Sequence, residues 1–194
     1  MNLVLAMLSS ILIKGISAII EVAIQMLITH SAGVSGYGDY TFYVSLIEGA
    51  YFVLFSGSIK LNTFYLSTPS ARLSRFKRKY ILYYVLPITT IIAVSFSMMG
   101  NWMGVLSACI LLLYFFAFDR SSVFFSRGYQ MPALLGEYLI GRLVTLIGVF
   151  SVIKLDVTNG TTLLALYGMQ YLAMYCWFIA FRKKLTPGTE ECTV

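Results

Sequence analysis

The stretch LVLAMLSSILIKGISAIIEVAIQMLIT, Leu3 to Thr29, decides how the chain is read. It runs for 27 residues and carries two charges, Lys14 and Glu21. About 20 apolar residues are enough for a helix to cross the hydrocarbon core of a bilayer. The segment is too long for the apolar core of a signal peptide, has no Lys or Arg ahead of it, and holds Lys14 near its middle. It predicts a first transmembrane helix over about 3–29.

Working outward, five more apolar stretches follow, at about 40–61, 80–99, 103–118, 134–153 and 162–181. A glycine-rich turn, Ser31–Gly38, separates the first two, and Gly100-Asn-Trp102 makes a tight turn between the third and fourth. Pro87 predicts a kink in the third. A polar segment, Asp119–Pro132, follows the fourth. Six spans of about 20 residues use about 120 residues and leave short loops in a chain of 194. Composition agrees: 59 % of residues are hydrophobic and 11 % charged, against about 25 % charged in soluble domains, and the mean hydropathy is +0.82. A disordered chain, a secreted disulfide module and a cytosolic enzyme with a large soluble site are excluded. The fold class predicted is an all-α polytopic membrane protein, with residues 1–184 forming one six-helix lobe and 185–194 a cytoplasmic tail. Neither an internal repeat nor a linker marks a second domain. Gly100, Gly104 and Ala108 form a row of small residues that lets a neighbouring helix approach closely.

Loop charges set the orientation. Arg72, Arg75, Lys77, Arg78 and Lys79 follow span two, Arg120 and Arg127 follow span four, and Arg182-Lys-Lys184 follows span six. In a six-span chain these ten of the 14 basic residues fall on one side, against Lys154 alone on the other. The positive-inside rule then places both termini in the cytoplasm. The net charge of +6 is topological; aromatics and base-reading geometry are missing around the basic run, so no nucleic acid is expected as partner. The basic loop suits anionic lipid, and Lys60 near the cytoplasmic end of span two can snorkel.

Ionisable residues inside the spans are the functional signal, because each costs about 2.5–3.5 kcal/mol at the bilayer centre on insertion scales. Lys14, Glu48 and Arg142 fall near the middle of three different spans, which points to a shared polar chamber. At about 100° per residue, Ser10, Lys14, Glu21 and Gln25 lie within about a 60° sector of the first helix, a polar stripe on an otherwise apolar cylinder. Lys14 and Glu21 sit too far apart to pair with each other, so each is expected to meet another helix or water. Interhelical ion pairs that only hold the bundle together are the alternative to binding or ion coupling. Glu137 is expected to pair with Arg120 or Arg127, and His30 to end span one at the outer surface.

Catalysis finds no support. The one histidine, His30, precedes every span-borne serine after the first helix, which removes the arrangement of an intramembrane serine protease. Gly33-x-x-Gly36-x-Gly38 follows a helix and belongs to a hairpin turn rather than a dinucleotide loop. There is no P-loop, no paired-aspartate metal motif and no His/Cys cluster, so neither a metal nor a cofactor is expected. Cys109, Cys176 and Cys192 form no disulfide framework.

Ile28-Thr-His-Ser-Ala-Gly33, Ser35-Gly-Tyr-Gly-Asp-Tyr40 and the aromatic-rich second span after an embedded Lys14 resemble the amino-terminal region of polysaccharide-repeat flippases. These are the O-antigen type within the multidrug/oligosaccharidyl-lipid/polysaccharide exporter superfamily. Gly33, Tyr37, Gly38 and Tyr40 fit that family's motif between spans one and two, with His30 where an Arg is usual; Ser126-Arg-Gly-Tyr-Gln130, leading to Arg142, resembles the entry to its fifth span. Family members have two six-helix lobes facing a central cavity, and this chain supplies one. The resemblance implies translocation of a polyprenyl-pyrophosphate-linked oligosaccharide across the bacterial cytoplasmic membrane for surface polysaccharide assembly. It also implies a second copy or a separate carboxy-terminal lobe as partner, or a truncated or split flippase. Lys14, Arg142 and Gln25 become candidates for substrate binding, and Glu21 and Glu48 for ion coupling. A drug or small-solute exporter of the same superfamily and a non-transporting membrane protein are the alternatives.

The charge pattern has a direct check. An alkaline phosphatase fused after Asp156 is expected to be active outside, and one fused after Lys184 to be inactive; the reverse pattern would invert the topology.

Overall fold

The computed structural model describes residues 3–67, 76 and 78–185. They form helix α1 (Leu3–Ser67), a π-helical turn (Ile81–Val85), α2 (Leu86–Met98), α3 (Trp102–Ser126), the short α4 (Gln130–Leu134), a second π-helical turn (Leu135–Ile140), α5 (Gly141–Lys154) and α6 (Gly160–Leu185). Among the described residues there is no strand. Five helical stretches are long and apolar enough to cross a membrane: Met7–Phe55, Arg78–Met98, Trp102–Phe125, Gln130–Lys154 and Gly160–Phe181. Residues 72–75 and 77 of the basic loop, the tail 186–194 and the side chain of Lys60 lie outside the described residues.

α1 has 65 residues, about 98 Å if it were straight at 1.5 Å per residue. It is not straight. Gly33 alone leaves helical geometry, at φ 67° and ψ −179°, a conformation open essentially only to glycine. The contacts of the two arms show what this bend does. Along the first arm, Lys14 meets Tyr138, Glu21 meets Arg142, and the Ser31 carbonyl accepts from Thr158 (3.4 Å). Partner numbers rise together, so this arm runs parallel to α5. Along the second arm, Tyr40 and Glu48 meet Tyr167, and Tyr51 stacks on Tyr114, which stacks in turn on Tyr171; this arm runs parallel to α6. α5 and α6 are themselves antiparallel, since Thr145 donates to Gln170 (3.3 Å) while Gly136 abuts Trp177. One glycine therefore reverses the path of α1. The expected hairpin over Ser31–Gly38 is corrected to a single non-helical residue, with Gly36 and Gly38 remaining in the helix.

Two other expectations change. Span four does not stop at Phe118, because α3 continues to Ser126. Its polar residues turn inward and are bonded there: Asp119, Ser121 and Ser122 are buried, Ser122 donates to the Asp119 carbonyl (2.8 Å), and Ser121 donates to Glu137 (2.9 Å). Internal bonding lets polar residues stay in a helix that lipid surrounds. Pro87 produces a π-helical turn rather than a simple kink. Proline has no N–H and crowds the preceding turn, and the chain answers by widening over Ile81–Val85, where the Leu86 N–H reaches the Ile81 carbonyl.

Close packing is set by small residues, as expected where lipid is as apolar as the side chains themselves. Gly104 lies against the Phe96 ring, which closes the α2–α3 hairpin. Gly136 and Gly141 are five apart, the spacing of a π turn, and both face α6. A Cβ on Gly136 would sit 2.6 Å from Trp177 Cδ1, and one on Gly141 2.6 Å from Gln170 Cγ. Behind them Phe55, Phe115, Phe178, Ile24 and Ile47 are almost wholly buried.

Gly33→Ala is expected to destabilise the folded chain by about 1–3 kcal/mol, read as a lower midpoint of denaturation in detergent. Gly38→Ala, with open space at its Cβ position, should be nearly neutral.

Candidate functional site

The polar residues of the spans converge on the seam between α1 and the α4–α6 segment. The second π-helical turn bears Glu137 and Tyr138 and leads into Arg142, one residue inside α5. Single π turns recur at functional sites because they re-aim side chains. Arg142 and Glu21 form an ion pair, their side chains 28 % and 29 % exposed. Gln25, one turn along α1, donates to the other oxygen of the same carboxylate (3.3 Å). The stripe on α1 thus acts as a unit: Glu21 is held from one side by a guanidinium and from its own helix by an amide.

Lys14 takes a different partner. Its ammonium stands 5.4 Å from the centroid of the Tyr138 ring, within range of a cation–π attraction. Glu48 is bonded through hydroxyls: Tyr167 donates to its Oε1 (2.8 Å), and Tyr171 donates to the Tyr167 hydroxyl (2.8 Å). Tyr171 is buried. The three mid-span charges thus take three different partners: Tyr138 for Lys14, Tyr167 for Glu48 and Glu21 for Arg142.

Lys14, Gln25 and Glu48 are exposed at the surface of this single chain. Exposed polar side chains on apolar helices cannot rest in hydrocarbon without cost; each requires water or another protein surface against it. Farther along α1, a groove of about 580 Å³ at the bend is lined by Gln25, Thr29, His30 and Tyr37 with Val22 and Met26. His30 is exposed there, at the end of the seam where Ser31 meets Thr158.

Glu137 accepts its hydrogen bond from Ser121, in place of the expected arginine contact. Sequence reasoning also missed the tyrosines. Tyr167 and Tyr171 lie four apart on α6, so they share a helix face, and 14 tyrosines in so apolar a chain were a usable signal. Cys109 and Cys176 are free and exposed. Among the described residues no group of His, Cys, Asp and Glu could hold a metal ion. No protein-family model, curated protein or solved structure matches this chain.

Removing one partner of the Glu21–Arg142 pair leaves a charge in a poor solvent. Glu21→Gln is expected to cost about 1–2 kcal/mol, the pair being partly exposed. The double variant Glu21→Gln/Arg142→Gln should recover much of that loss in a double-mutant denaturation cycle; strictly additive losses would show that the two residues do not interact.

Proposed function

We propose that this chain is one lobe of a membrane transporter, crossing the bilayer six times with both termini in the cytoplasm, and that it moves a polyprenyl-pyrophosphate-linked oligosaccharide across the bacterial cytoplasmic membrane. The observation that carries this reading is the partly exposed Glu21–Arg142 ion pair, with Gln25 on the same carboxylate and an exposed Lys14 on the same arm of α1. Six crossings are supported by the opposed directions of the two arms of α1, each long enough to span. The exposure of Lys14, Gln25 and Glu48 supports a partner, either a second copy or a carboxy-terminal lobe, that would cover them.

The chemistry is one of exchange. A guanidinium binds carboxylate and phosphate oxygens by the same two-pronged geometry, so Glu21 occupies on Arg142 the position that a pyrophosphate would take. Lys14 adds a second cation on the same arm of α1, and Gln25 offers an amide to substrate once Glu21 is displaced. A displaced Glu21, or Glu48 with its tyrosine donors, can then take up a proton or a cation. Substrate binding and ion uptake become linked because both compete for the same ion pair. The stacked tyrosines beside Glu48 favour a second reading, export of an aromatic cationic solute.

Complementation tests both. Expressed in a strain lacking its own polysaccharide-repeat flippase, with or without a carboxy-terminal lobe, the chain is expected to restore surface glycan. Lys14→Ala and Arg142→Ala should abolish that rescue at unchanged membrane abundance. Loss of abundance would make the charges structural, and cation efflux with no change in glycan would favour the solute exporter. No effect on either would leave a non-transporting membrane protein.

A further inference from the structure

The second arm of α1 and helix α2 both pack against α3, and a groove of about 500 Å³ runs between them. Ala108 and Leu111 of α3, both buried, form its floor; Gly49 of α1 and Ile92 and Phe96 of α2 stand in its walls. Ser107, also in the floor, donates its hydroxyl to the Met103 carbonyl (2.8 Å) and so presents little polarity to the groove. Ser45, Gly49 and Val53, successive turns of α1, are exposed, so the groove opens to the surroundings along its length. Hydrogen bonds pin its two ends. The Asn101 amide, in the turn after α2, donates to the Tyr43 hydroxyl (2.7 Å), and the Tyr80 hydroxyl, ahead of the first π-helical turn, donates to the Leu54 carbonyl (2.9 Å). From Tyr43 to Leu54 the helix advances about 16 Å at 1.5 Å per residue. Between the pins there is real space: a Cβ on Gly49 would meet no atom within 4 Å.

We propose that this groove binds one acyl chain of a bilayer phospholipid. Half of the hydrocarbon core is about 15 Å thick, which matches the distance between the pins. Ile92 and Phe96 lie in the half of α2 that leads to the Gly100 turn, and Trp102 just beyond that turn is 74 % exposed, as an aromatic at headgroup level is. The groove thus runs through one leaflet, from headgroup level toward the midplane. An apolar cavity of about 150 Å³ holds a benzene, with its six carbons; on that scale a volume of about 500 Å³ holds about 20 carbons, one long chain. A groove of this length and volume is about 6 Å across, too narrow for a helix of about 10–12 Å with its side chains, which argues against a second copy seated in it. Lipid and groove are equally apolar, so binding rests on dispersion contacts. Walls already fixed by hydrogen bonds make those contacts without first being ordered. The site uses neither Glu21 nor Arg142 and does not rest on the transport reading.

The purified full-length chain, stripped of lipid in detergent, is titrated with dioleoylphosphatidylcholine and followed by native mass spectrometry. One equivalent is expected to bind and saturate. Dihexanoylphosphatidylcholine, with the same headgroup and chains too short for the groove, should bind at least about tenfold more weakly. Gly49→Leu fills the groove, suits the helix better than glycine, and should keep the parent's thermal midpoint while weakening dioleoyl binding at least about tenfold. Gly15→Leu, the same change at an open glycine on the other arm, should bind as the parent does. The proposal is overturned by a parent that takes up no phospholipid, by equal binding of the two chain lengths, or by a folded Gly49→Leu that binds like the parent. The chain-length comparison decides alone if Gly49→Leu does not fold. Displacement of the phospholipid by equimolar polyprenyl phosphate would also overturn it, giving the groove to an isoprenoid. So would a parent dimer that Gly49→Leu splits without loss of lipid, which would give the groove to a second copy.

Discussion

Hydrocarbon offers no hydrogen bonds, so every polar group in this bundle must find its partner within the protein. The Glu21–Arg142 ion pair is where that constraint binds hardest. It ties the first arm of α1 to α5 and holds the arm at the register where Lys14 reaches Tyr138 and Ser31 reaches Thr158. A shift of the arm by one residue would turn Glu21 by about 100° away from its partner and leave two charges unmatched.

The same requirement explains where regular helix gives way. Pro87 removes a donor, and the π turn before it supplies a longer bond in exchange. The second π turn follows Pro132, whose carbonyl is taken by the indole N–H of Trp177 (3.0 Å). That turn also sets Gly136 and Gly141 against α6 and delivers Glu137 and Tyr138 toward α3 and α1. Close packing and placement of polar side chains are here one event. A stretch of uniform α-helix would rotate the glycines and the charged groups away from their neighbours together.

The Glu21–Arg142 pair is not sealed from its surroundings. Arg142 and Glu21 are partly exposed, while Lys14, Gln25 and Glu48 are exposed outright. Groups whose only task is to clamp helices together are better served by full burial, where water cannot compete for them. Partial exposure leaves the pair accessible to competing groups, and the tyrosine pair ties Glu48 to α6.

The sequence by itself determined that the chain is helical and membrane-embedded, because long apolar runs broken by clustered charge allow no other packing with lipid. It also marked Lys14, Glu21, Gln25, Glu48 and Arg142, since a charge in an apolar run stands out whatever surrounds it. Partners were another matter: Glu21 with Arg142, Glu48 with Tyr167 and Glu137 with Ser121 join residues 121, 119 and 16 positions apart, and no local pattern encodes such distances. The reach of α3 to Ser126 was hidden for a related reason. Asp119, Ser121 and Ser122 read as a loop by composition, and only the neighbouring helices that bury and bond them make helix the cheaper state. The reversal at Gly33 was legible as a break, yet its confinement to a single residue was decided by the opposed surfaces of α5 and α6, onto which the two arms of α1 pack.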